Sequence, residues 1–233
     1  MKKGEKKKQA RTLAKRTERK SAKKAQQGAA AEGELRPIQQ ARKYPLEGCW
    51  VQSGWQEAGL AVVVVARRQP NGLLVVGNFL VDYYCLGVKS CYVRPNVSTA
   101  MFYAQLPQLI PGEALPIPAA LAHELIWGGI EYAARYGFRP DPDFKLAQLV
   151  LDPTEAHPRT GTVTFGKDGR PFYVSGPHDN VNAIMNQLLR TAGPDNFEYL
   201  AHIDSPPDEL LDELFAGFDD SVADAEEDSA ATA

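Results

Sequence analysis

The chain has 233 residues, 44% of them apolar, enough for one domain of ordinary size plus tails. Its formal charge of −3 conceals two opposite ends: residues 1–43 hold 15 Lys/Arg against 4 Asp/Glu, and the remainder holds 11 against 25. Three cysteines, Cys49, Cys85 and Cys91, cannot all pair with one another, so a secreted disulfide framework is excluded in favour of free thiols in a reducing, cytoplasmic setting.

Residues 1–43 read as a basic arm. Its cations include Lys6, Lys7, Lys8, Arg11, Lys15, Arg16, Arg19, Lys20, Lys23 and Lys24, and after Met1 the only large apolar side chain before Leu35 is Leu13. Such a segment cannot bury enough surface to offset the entropy of ordering, so alone it is expected to be disordered. Ala, Lys, Arg, Gln and Glu nonetheless favour a helix once a polyanion screens their repulsion, and no Pro or Gly interrupts the stretch between Glu5 and Gln27. Lys/Arg release counterions from phosphates, which points to nucleic acid, and to RNA over DNA because basic arms that fold on binding are common there. A solvated tail or a targeting segment are the competing readings. No apolar stretch with a cleavage site follows, so a secretory signal is not expected. A membrane is not expected either: the arm lacks a leucine or aromatic face, and the longest apolar run, Leu60–Ala66, is too short to span a bilayer.

From Tyr44 to Asp204 the pattern predicts a single α+β domain, with antiparallel hairpins packed against several helices. Residues 48–55 suit a strand. Residues 60–68 and 73–82 suit a hairpin, with Pro70-Asn71-Gly72 as a turn of the tight Asn-Gly kind. Residues 83–94 are interrupted by Gly87 and fit no element cleanly. A short helix over 97–106 would be capped by Ser98 or Thr99, and the proline-rich stretch 107–118 reads as a connection. A helix over 118–136 follows, with proline at its start and Gly137 at its end, and its inner side at Leu121, Leu125, Ile126, Ile130 and Ala133. Gly128 and Gly129 would admit another backbone closely. A short helix spans 144–151. Residues 162–165 and 171–175 flank Gly166-Lys167-Asp168-Gly169-Arg170 as a second hairpin, a helix runs to Arg190 from Asp179 or Asn180, and a strand spans 197–203. Residues 205–218 read as an amphipathic acidic helix with Leu210, Leu211, Leu214, Phe215 and Phe218 on one stripe, which docks on its own domain or serves a protein partner. Residues 219–233 read as a disordered acidic tail that could compete with phosphates for the arm.

Chemistry-bearing positions are few. Asp82 ends an apolar strand and precedes Tyr83-Tyr84-Cys85, with Lys89 close by. Cys85 could act as a nucleophile if Lys89 lowered its pKa, or simply fill the core, and Asp82 could cap a turn or pair with Lys89. His123-Glu124 lies on the long helix without the second histidine that a zinc-protease helix places four residues on. Glu124, Glu131 and Arg135 share a helix face that reads as solvated. Glu124 could instead meet Asp82 across a cleft and bind a divalent ion, as in metal-dependent nucleases. No structural zinc set and no cofactor motif are expected. His178-Asp179 could hold a phosphate at a helix start. Arg67, Arg68, Lys167 and Arg170 could extend the arm's basic footprint over the domain. The leading expectation is a nucleic-acid-associated binding or accessory protein. The alternatives are a metal-dependent hydrolase or nuclease using Asp82 and Glu124, and a protein-interaction module using residues 208–218.

Overall fold

Valine-rich residues 60–68 and their return strand form the centre of the structure. It is a computed structural model and describes residue 33 and residues 35–200. Five strands, β1 (Leu46–Gln52), β2 (Leu60–Arg68), β3 (Leu74–Asp82), β4 (Gly87–Val97) and β5 (Ala114–Ile117), make one sheet in the order β4-β3-β2-β1-β5, each pair antiparallel. The helices are α1 (Trp55–Ala58), α2 (Thr99–Leu109), α3 (Ala119–Arg135), α4 (Phe144–Ala147) and α5 (Val181–Thr191). The fold class is α+β, as the sequence pattern indicates.

Strand alternation distributes the side chains between two layers. On β2, Ala61, Val63 and Val65 face the core shared with α3 and the 144–151 segment, while Val64 and Ala66 face the smaller core that includes Phe102 and Leu106 of α2. The same alternation sends Arg67 and Arg68 to opposite faces. Arg67 donates to Asp152, on the segment behind the sheet, and Arg68 donates to Glu47 and Thr99 on the other side.

The hairpin pairs Leu60 with Asp82 through to Arg68 with Leu74. Its turn is wider than the tight Asn-Gly form. Gln69 N–H donates to Leu73 O, Asn71 Oδ1 accepts from Leu73 N–H, and Gly72 takes the positive φ of 83°. Ser98 caps α2 by accepting from Met101 N–H, and Asn180 caps α5 by accepting from Ala183 N–H. Gly87 starts β4 at φ 70°, pressed against Gly129 of α3. This is the close backbone approach that the Gly128-Gly129 pair suggested.

Four expectations are corrected. Residues 107–118 are not only a connection: Pro107 lies in α2, and Ala114–Ile117 forms an edge strand, where Pro116 is tolerated because its missing donor faces away from the ladder. The second hairpin does not form. Only Lys167 and Arg170 bridge around the turn, and residues 172–174 become β6 (Phe172–Val174), which pairs in parallel with β7 (Glu198–Leu200). The segment 144–151 is α4 followed by a 3₁₀ turn at Gln148–Val150. Residues 35–43, grouped with the arm by charge, belong to the domain: 35–39 are helical, Ile38 and Ala41 are buried, and Arg42 Nε donates to Leu151 O at 2.9 Å. The arm cations from Lys6 to Lys24, the 205–218 helix and the acidic tail lie outside the described residues. No helix among those described is long and apolar enough to cross a membrane.

Gly87 and Gly72 have similar φ, but a Cβ at Gly87 would lie 2.9 Å from Gly129 O, whereas one at Gly72 meets nothing within 4 Å. Gly87→Ala should cost about 2 kcal/mol more than Gly72→Ala in urea denaturation. Equal losses would contradict this helix–sheet contact.

Candidate metal centre

Helix α3 presents His123, Trp127 and Glu131 at successive four-residue steps, and therefore along one face. A second segment, 152–163, lies against this face. Its first anchor is Arg67, only 4% exposed. Arg67 Nε donates to Val150 O at 2.5 Å, Nη1 donates to Tyr44 O at 2.9 Å, and Nη2 is ion-paired with Asp152 Oδ1. Arg42 holds Leu151 O from the other side. The second anchor is Glu124, 2% exposed. Its carboxylate accepts from the Thr160 hydroxyl, from Thr162 Oγ1 at 3.1 Å, and from the backbone N–H of Thr160 and of Val163 at 3.3 Å each. Burial alone would raise the Glu124 carboxyl, but these bonds together bring it below its ordinary value.

Between the anchors the segment carries Asp152 and His157. His157 Nε2 lies 3.0 Å from Asp152 Oδ2, and the His157 ring centre is 4.5 Å from that of His123. One donor atom from each of His123, Asp152 and His157 lies within 4.8 Å of the other two. Burial, and then the neighbouring His157, lower the His123 pKa to about 4, so its ring is neutral at physiological pH. Burial opposes ionisation of Asp152, but the bonds from His157 and Arg67 outweigh it and hold the carboxyl below its usual range. His123 is 4% exposed and its Nδ1 is buried with no hydrogen-bond partner. Trp127 Nε1 is likewise unpartnered. Both residues line an open cavity of about 300 Å³ together with Glu131, Thr154, Glu155, His157, Pro158 and Arg159. Buried polar atoms are nearly always satisfied, so these two call for a partner from the cavity.

Two imidazoles and a carboxylate form a donor set suited to zinc or another first-row divalent ion. Ligands held about 2.0 Å from a tetrahedral ion lie about 3.3 Å apart, so the Asp152–His157 spacing needs little adjustment. Arg67 holds Asp152 Oδ1, an orienting partner of the kind that metal-bound carboxylates keep, and Oδ2, which contacts His157 Nε2, is the oxygen an ion would share with that imidazole in place of the hydrogen bond.

The residues singled out from sequence fall elsewhere. Asp82, 6% exposed, caps the following turn by accepting from Tyr84 and Cys85 N–H at 3.1 and 2.9 Å. Its pairing with Lys89 is not seen, because Lys89 Nζ instead donates to Asp179 Oδ2 at 2.7 Å. Asp82 and Glu124 share no hydrogen-bond partner, and Glu124 is filled by donors of the 160–163 segment, so their joint ion site is not supported. Glu124 is also not part of a solvated stripe. Cys85 is fully buried and its thiol is pushed far up by burial, which leaves no thiolate for nucleophilic work. Arg67 is no part of an exposed basic footprint. Arg68 is paired with Glu47, Arg170 with Glu198, and Lys167 sits 4.4 Å from the Phe172 ring centre. Asp179 serves Lys89, Tyr173 and Gly176 N–H rather than an anion site. His157 and Asp152 were missed. The legible signal was Asp152-Pro153 and His157-Pro158, an acid and an imidazole each fixed by a following proline.

Burial raises the Asp82 pKa to about 6, with Lys89 and the capping N–H groups opposing it. The folded state thus holds this proton more tightly than the unfolded chain, so stability falls as pH rises from about 4 to about 6, by at most about 3 kcal/mol. Asp82→Asn keeps an acceptor for the cap and removes the charge. Denaturation at pH 4 and pH 7 should show the variant losing less stability over that interval than the parent. A variant with the same pH slope would contradict the assignment.

No protein-family model matches this chain, and no curated protein or solved structure matches it either.

Proposed function

We propose that this protein is a zinc-dependent hydrolase whose ion is held by His123, Asp152 and His157. The observation that carries the reading is the buried His123, its Nδ1 unpartnered and one of its ring nitrogens within 4.8 Å of donor atoms of Asp152 and His157, at the wall of a cavity. Three protein ligands leave a fourth position for water, the arrangement of catalytic rather than structural zinc. Bound zinc lowers the pKa of that water to about 7. Glu155, on the same cavity wall, is the carboxylate available to take its proton, because Glu131 lies about 12 Å along α3 and is ion-paired with Arg159. The thiols are not competing ligands: burial raises Cys49 and Cys91 to about 12 each. The three free, buried cysteines suit a reducing compartment, and the protein is read as cytoplasmic.

A second element comes from the charge layout. The basic arm, with 12 Lys/Arg against 4 Asp/Glu in residues 1–34, brings the domain to nucleic acid, RNA in the first place.

Titration of the full chain with zinc should give one tight site. His123→Ala and His157→Ala should each weaken it by at least about 100-fold while leaving the circular dichroism spectrum unchanged. Undiminished zinc affinity in the double variant would remove the reading. Separately, deletion of residues 1–30 should lower affinity for single-stranded RNA by about tenfold or more at low salt and flatten its salt dependence. An unchanged salt slope would show that the arm does not contact phosphates.

A further inference from the structure

The cavity has a polarity along α3. His123 stands opposite His157 at one end, and Glu131 stands opposite Arg159 at the other, with Trp127 between. Eight residues separate the two ends on the helix, a rise of about 12 Å. Among the described residues Arg159 is the one permanently charged cation on the cavity wall. It follows the ligand His157 through Pro158, which limits the backbone freedom between them. Its guanidinium carbon lies 5.0 Å from the Phe165 ring centre, and Nη1 donates to Glu131 Oε2 at 2.7 Å. Gly128 makes room for this stack: a Cβ there would lie 2.6 Å from Arg159 Nη2 and 2.2 Å from Phe165 Cζ. The guanidinium is therefore pre-placed, yet its partner Glu131 is exposed. An exposed pair of this kind contributes under about 1 kcal/mol, so an incoming anion can displace it.

We propose that the substrate is a phosphodiester chain, cleaved at the zinc end of the cavity, and that Arg159 holds a neighbouring phosphate. This rests on the zinc site proposed above. A planar guanidinium with a free edge matches the paired oxygens of a phosphate. Its offset from the imidazoles assigns it to a phosphate other than the reacting one. In the reaction, zinc-bound water gives a proton to a cavity carboxylate and its oxygen bonds to phosphorus. The P–O ester bond then breaks, and the leaving oxygen takes that proton. Arg159 touches none of the reacting atoms; it is a binding and positioning residue for the chain. The arm's cations and Arg159 then serve the same polymer, one by long-range attraction and the other by register.

The test uses the zinc-loaded full chain at high salt, where the arm's attraction is screened. Substrates are short single-stranded RNA, the same sequence as DNA, bis(4-nitrophenyl) phosphate and 4-nitrophenyl acetate. Cleavage of either nucleic acid and of bis(4-nitrophenyl) phosphate is expected. Arg159→Ala should raise KM for the oligonucleotide about tenfold, a loss several times larger than any on bis(4-nitrophenyl) phosphate. Arg159→Lys should restore part of the loss. A merely structural role for Arg159 would instead lower activity on both phosphate substrates together. That result would overturn the proposal, as would hydrolysis confined to 4-nitrophenyl acetate or an unchanged oligonucleotide KM. Zinc uptake without any phosphodiester cleavage overturns the substrate assignment alone, whereas failure to take up zinc overturns the site and the substrate together.

Discussion

The buried guanidinium of Arg67 is the interaction on which the rest of the site depends. It leaves the end of the central strand β2 on the α3 side and holds three groups from two other segments: Tyr44 O, Val150 O and the Asp152 carboxylate. A buried charge is tolerated only when its donors are matched and a counter-charge is near, and both conditions are met here. The contact fixes Asp152, and Asp152 in turn fixes the imidazole of His157.

Glu124 does the same work from the helix side. Four donors from Thr160, Thr162 and Val163 converge on it. The segment from Asp152 to Val163 is therefore tied at one end to the sheet and at the other to α3, although it makes no strand pairing itself. Prolines at 153 and 158 reduce its freedom between the two ties. The result is an irregular segment held firmly enough to face His123, Trp127 and Glu131 across a cavity. Each buried ionic residue of this region thus has a positional role, while three buried atoms of α3, His123 Nδ1, Trp127 Nε1 and the Tyr132 hydroxyl, are left unpartnered, and His123 and Trp127 line the site.

Much of the fold was legible because its signals are local. A continuous valine run specifies β2, the Ser98 and Asn180 caps specify helix starts, and Gly137 marks a helix end. What escaped is set by pairing between distant segments. Strand β5 is short and carries a proline, and β6 pairs in parallel with β7 rather than with its sequence neighbour, so neither shows a periodic pattern of its own. The site divides the same way. His123 and Glu124 drew notice as helix residues, but their roles come from side chains contributed by 152–163. Adjacent helix positions diverge by about 100°, which is why His123 turns to the cavity while Glu124 turns to the threonines. Arg67 and Arg68 read as one basic pair in sequence, yet strand alternation gives them unrelated partners.

X-ray absorption at the zinc edge of the loaded full-length protein tests the central claim most directly. The expected signal is a first shell of nitrogen and oxygen at about 2.0 Å, with the outer-shell scattering of two imidazole rings and no sulfur. A sulfur shell at about 2.3 Å would place the metal on the cysteines and contradict the His123–Asp152–His157 centre.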